Sequence, residues 1–68
     1  MKITLQQMRY MLKIAETGSM VAASRVLSVS QPSLSEAVSV VERELGFSLF
    51  TRGNTGATPT KEGMEFLG

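Results

Sequence analysis

Cysteine and histidine are both missing from this 68-residue sequence. Without them there is no thiolate or imidazole to hold a metal, no cysteine nucleophile and no Ser-His pair, so zinc sites and the common covalent hydrolases are excluded. Disulfides are excluded too. A small domain without them is held by packing alone, which suits a reducing compartment and makes a cytoplasmic location the expectation. Long apolar runs are also lacking. Nothing is long enough to span a bilayer, and Thr4, Gln6, Gln7 and Arg9 break up the opening segment, so neither a signal peptide nor a membrane partner is expected. Charge of one sign is scarce as well: seven basic and six acidic residues leave +1, which by itself suggests no nucleic-acid binding. Acid-base chemistry would fall to six glutamates and the lysines. All the glutamates fall on faces expected to be exposed, with no pair around an evident pocket, so no enzyme is expected.

What is present suits one small folded domain. Apolar residues make up 43% and charged residues 19% of the chain, close to globular averages. A chain of this size buries only about 60% of the surface it exposes when unfolded, which leaves room for one core. Thr4 followed by Gln7 is a capping-box pattern and predicts a first helix over about 5–16, stopped by Gly18. Leu5, Met8, Leu12 and Ala15 recur at helical spacing as its apolar stripe, with Met11 and Ile14 widening it toward a second contact surface. Ser19 is placed to cap a second helix over about 20–27. Ser28-Val29-Ser30 reads as a tight connection, and Ser30 caps a third helix over about 31–45 with Pro32 in its first turn. Leu34, Val38, Val41 and Leu45 give that helix one buried stripe, while Gln31, Ser33, Ser35, Glu36 and Ser39 form a polar surface of mostly small residues.

Gly46 ends the third helix. The turn residues Gly53 to Gly56 between two short extended runs predict a two-stranded wing over about 49–59, with Pro59 tolerable only on an edge. Thr60 can cap a fourth helix, which the chain's end cuts short. The fold class expected is therefore mainly α: a winged helix-turn-helix over 1–59, with a three-helix core and a two-stranded wing, and the start of a linker helix over 60–68. Two short helices joined by a three-residue turn and followed by a wing are the arrangement that lays the third helix in a major groove.

At this point the residues themselves resemble a known family. Ala15-Glu16 with Gly18-Ser19, Ala22-Ala23, Ser30-Gln31-Pro32 with Leu34-Ser35, Glu42 with Leu45-Gly46, Leu49-Phe50 with Arg52, and Thr60 with Gly63 resemble, in order and spacing, the N-terminal DNA-binding domain of LysR-type transcriptional regulators. The resemblance covers essentially the whole chain. It implies double-stranded DNA as the partner, and a longer parent in which the last helix continues as a dimerising linker and a C-terminal domain binds a small-molecule effector. It implies no cofactor for the domain itself, and homo-oligomerisation through helix one and the linker helix.

Carried over by position, the family's contacts put Ser30, Gln31, Pro32, Ser33 and Ser35 at the major groove and the wing from Arg52 through Asn54 to Thr55 at backbone or minor groove, with Ser19 and Met20 near a phosphate. The chemistry agrees: glutamine can bond an adenine edge bidentately, and a proline ring or serine methylene can touch a thymine methyl. Four positions depart from the family, which commonly has a basic residue where Glu36, Ser39 and Val40 stand and often has one at Thr55. Glu36 can accept a hydrogen bond from a cytosine amine or simply repel misplaced phosphate. Plainer roles stay open beside these. Gln31 can be a solvated first-turn residue, and Ser33, Ser35 and Ser39 can be ordinary surface serines. Arg52 can brace the wing against Glu42 or Glu44. Met8, Met11 and Met20 read as packing residues rather than ligands. The contrasting function is a winged helix used only to bind another protein, which salt dependence separates from DNA binding.

Overall fold

The computed structural model describes residues 2–53 and 56–68. Four helices and a hairpin follow in the order α1 (Leu5–Thr17), α2 (Met20–Leu27), α3 (Gln31–Leu45), β1 (Phe50–Gly53), β2 (Gly56–Pro59) and α4 (Lys61–Leu67). The helix starts are set by local side-chain chemistry. Thr4 and Gln7 form the full capping box at α1, and Ser19, Ser30 and Thr60 each accept the backbone N–H three residues ahead. Gly18 and Gly46 end α1 and α3 in the left-handed conformation. Ser28 adopts the same conformation, at φ 57°, to turn the chain from α2 into α3.

The core lies where α1, α2 and α3 meet the hairpin. Met11 and Ile14 come from α1, Ala23 from α2 and Leu34, Val38 and Val41 from α3, closed off by Leu49, Phe50 and Ala57. Sequence periodicity had the two faces of α1 reversed. Met11 and Ile14, expected at a second surface, are fully buried, whereas Leu5 is 72% and Leu12 46% exposed. The apolar arc of α1 is wide enough to serve two neighbours, and α2 and α3 occupy the Met11 and Ile14 side. On α3, Leu45 at the end of the expected stripe is only half-buried.

The hairpin pairs Phe50 with Pro59 and Gly53 with Gly56 in antiparallel register. It is joined to the helices by backbone as well as by packing: Ala57 N–H donates to the Gly18 carbonyl at 3.0 Å, and Thr60 N–H to the Leu49 carbonyl at 2.8 Å. Thr60 Oγ1 also donates to the Ser48 carbonyl at 2.6 Å. α4 therefore sits on the core from its first residue. Phe66 stacks edge-on against Phe47, with ring centroids 6.4 Å apart. Phe66 and Leu67 are half-buried, and Met64 is the apolar residue of α4 that remains open.

Gly63 permits this docking, because a Cβ there would land on the Leu49 carbonyl oxygen. Gly63→Ala is expected to push α4 off the hairpin and cost about 1 to 3 kcal/mol, as overpacking does. Chemical denaturation of the two proteins measures this directly.

Candidate nucleic-acid interface

The first turn of α3 is assembled from its own serines. Ser30 Oγ accepts from Ser33 N–H at 3.2 Å and donates to Ser33 Oγ at 2.8 Å. This holds the turn without using the side chain of Gln31, which is exposed with Pro32, Glu36 and Ser39, while Ser35 is half-buried. The buried stripe beginning at Leu34 fixes the rotation of the helix and so directs these residues outward.

Residues from three elements meet at one open depression of about 260 Å3. Met20 comes from the first turn of α2, Gln31, Pro32 and Ser35 from α3, and Arg52 from β1. Met20, expected near a phosphate as well as in packing, forms part of this surface. Arg52 is the cation there. Its Nη1 donates to Ser35 Oγ at 2.9 Å, across seventeen positions of sequence. Neither Glu42 nor Glu44 takes it. Glu42 is half-buried and already engaged, its Oε2 accepting from Leu49 N–H at 2.7 Å and Phe50 N–H at 3.4 Å. That overturns the expectation that every glutamate lies on an exposed face: this one terminates the backbone leading into β1.

The remaining expected residues are not all drawn together. Ser33 and Glu36 line a second shallow depression of about 340 Å3, on the α1 side, with Gln6 and Tyr10. Sequence reasoning gave no role to Gln6 and Tyr10, although their four-residue spacing put them on one helix face; the Gln6 amide donates to the Tyr10 hydroxyl at 3.1 Å. Ser39 is exposed and lines neither depression. The Ser19 hydroxyl is occupied in capping, accepting from Ala22 N–H at 3.2 Å. Asn54 and Thr55 lie outside the described residues.

The family model described as "Bacterial regulatory helix-turn-helix protein, lysR family" matches residues 5–64. The chain belongs to the LysR family. The small neutral protease regulatory protein of Streptomyces coelicolor is 41% identical over the whole of the chain, which covers 21% of that protein. The chain thus spans about a fifth of the length of such relatives. Among solved structures, the CbnR DNA-binding domain in complex with DNA superposes with a TM-score of 0.91 at 36% identity, over 94% of this chain and 74% of that one. The BenM DNA-binding domain on its benA site 1 DNA gives 0.88 at 34% identity, over 94% and 72%. The winged helix-turn-helix class is therefore shown by sequence and structure together. Among the described residues of this LysR-family domain, no helix is long and apolar enough to cross a membrane.

Proposed function

We propose that this LysR-family domain binds double-stranded DNA in a sequence-specific way, as the promoter-recognition part of a transcription regulator. The N-terminal half of α3 enters the major groove and the wing rests on the flanking backbone or minor groove. The single observation that carries the reading is the convergence of Met20, Gln31, Pro32, Ser35 and Arg52 on one solvent-open surface. An amide, a hydroxyl, a guanidinium and a small apolar floor are what base edges and phosphates require together. Two matched domains, CbnR and BenM, were solved on DNA. Gln31 and Pro32 act on base edges. Ser30 and Ser33 form the turn that presents them, and Ser19 does the same for Met20.

In a regulator of the relatives' full length, a further domain takes a small-molecule effector, and this domain itself needs no cofactor. The protein works in the cytoplasm, beside the promoter DNA it regulates, and assembles through α1 and the helix that α4 begins. That assembly is supported by an open, mostly apolar groove of about 620 Å3 between them, lined by Leu12, Ala15, Pro59, Met64, Leu67 and Gly68 with Glu16 as its charged residue. Concentration-dependent sedimentation is expected from this chain and is weakened by Met64→Glu. A strictly monomeric species at high concentration would count against the contact.

Binding to duplex DNA across a salt series tests the function. Each phosphate engaged lowers log K by about 0.9 per decade of salt, so a steep decline is the expected result. Affinity that is flat with salt, or absent at low salt, overturns the reading and leaves a winged helix that binds protein.

A further inference from the structure

We infer that Ser35 acts on DNA through Arg52, as a positioning residue that joins the wing to the reading helix. The inference rests on the DNA-binding reading above and adds to it which chemistry this corner of the surface selects. Arg52 lies on the exposed side of β1 and has no carboxylate partner among the ion pairs of the described residues. A free arginine on such a ribbon samples many rotamers, and holding it in one removes an entropy cost that DNA would otherwise have to supply. Ser35 holds it by accepting from Nη1 at 2.9 Å.

The polarity of that bond has a consequence. The Ser35 oxygen turns one of its two lone pairs to the guanidinium. Arginine has donors and no acceptor, and one of its five N–H groups is used here. The remaining guanidinium N–H groups, on an exposed side chain, are donors alone. Their target is a cluster of acceptor atoms on DNA, supplied either by phosphate oxygens or, where Ser35 draws Arg52 from the wing toward α3 in the major groove, by the N7 and O6 of a guanine edge. Cytosine and adenine amines are donors and find no partner on Arg52; the acceptors nearby on α3 are the Gln31 amide oxygen, in the same depression, and Glu36, in the other.

A double-mutant cycle on DNA binding by this chain tests the inference, with wild type, Ser35→Ala, Arg52→Ala and the double variant compared at low salt. Loss of a hydrogen bond to a charged group corresponds to about tenfold in affinity. Arg52→Ala is expected to weaken binding by about tenfold or more, and Ser35→Ala by about threefold to tenfold. In the Arg52→Ala background, Ser35→Ala is expected to cost almost nothing further, and Ser35→Thr restores binding in the Arg52 background. Thermal unfolding of each variant separates these effects from loss of fold. A library of duplexes identifies the acceptor. Equal loss on every sequence, with a salt slope reduced by about 0.9, assigns phosphate; loss confined to duplexes with guanine at one position assigns the base edge. Additive losses, or binding lost by Ser35→Ala but not by Arg52→Ala, overturn the inference while leaving DNA binding intact. Failure of the wild-type chain to bind DNA removes the reading beneath it as well.

Discussion

Leu34→Ala is expected to destabilise the domain by about 2 to 5 kcal/mol, the usual result of truncating a fully buried leucine. Leu34 is fully buried in the core with Met11, Ile14 and Leu49. A 68-residue chain has a total stability on the order of 3 to 10 kcal/mol. The variant is therefore expected to melt at least about 10 °C lower and to hold a measurable unfolded population at ordinary temperature. The functional effect follows from position, since Leu34 lies between Pro32 and Ser35 and its burial sets the rotation at which Gln31 faces outward. Circular dichroism melts read the stability change. DNA binding should decline with the folded fraction, and a variant with native stability would show that this helix is not held by its buried stripe.

Glu36→Arg is expected to tighten binding to duplex DNA of any sequence by about tenfold at low salt and to steepen the salt slope by about 0.9, as one added phosphate contact does. Glu36 is exposed, and on α3 it is set against a total charge of only +1. A carboxylate beside a polyanion costs affinity for every sequence, so in the wild type it must be offset by what it gains at its own site or by contacts elsewhere. Replacing it adds two units of positive charge to that end of the surface. Binding to random and to selected duplexes measures how much of the gain is indiscriminate. An unchanged slope would place this part of α3 away from the DNA.

How much was legible in the sequence depended on distance along the chain. Helix starts at Thr4, Ser19, Ser30 and Thr60 and stops at Gly18 and Gly46 were readable because a cap is made by residues three or four apart. The buried stripe of α3 was readable too, since Leu34, Val38 and Val41 stand against serines and charged residues. α1 gave no such contrast. Met8, Met11, Leu12, Ile14 and Ala15 cover nearly half the circumference of the helix with apolar side chains, and which of them face inward depends on where α2 and α3 dock. The partners of Arg52 and Glu42 were hidden for a different reason. Charge matching leaves open a brace from Arg52 to Glu42 or Glu44 beside a phosphate contact, but Glu42 satisfies backbone N–H groups at Leu49 and Phe50 while Arg52 reaches a serine. A half-buried backbone donor needs an acceptor more than an exposed arginine needs a counter-ion. The expected groove residues were chosen for their chemistry at the start of α3, and the structure divides them between two depressions, with Ser33 and Glu36 facing α1.

The most direct test of the account is selection of this chain's targets from a pool of random duplexes at low and moderate salt, with sequencing of what is retained, repeated for Gln31→Ala. The account predicts a short enriched half-site and steep loss of retention with salt. In the Gln31→Ala pool it predicts that preference at one position relaxes by about 1 to 3 kcal/mol. Retention without enrichment, unchanged by Gln31→Ala, would contradict sequence reading by α3.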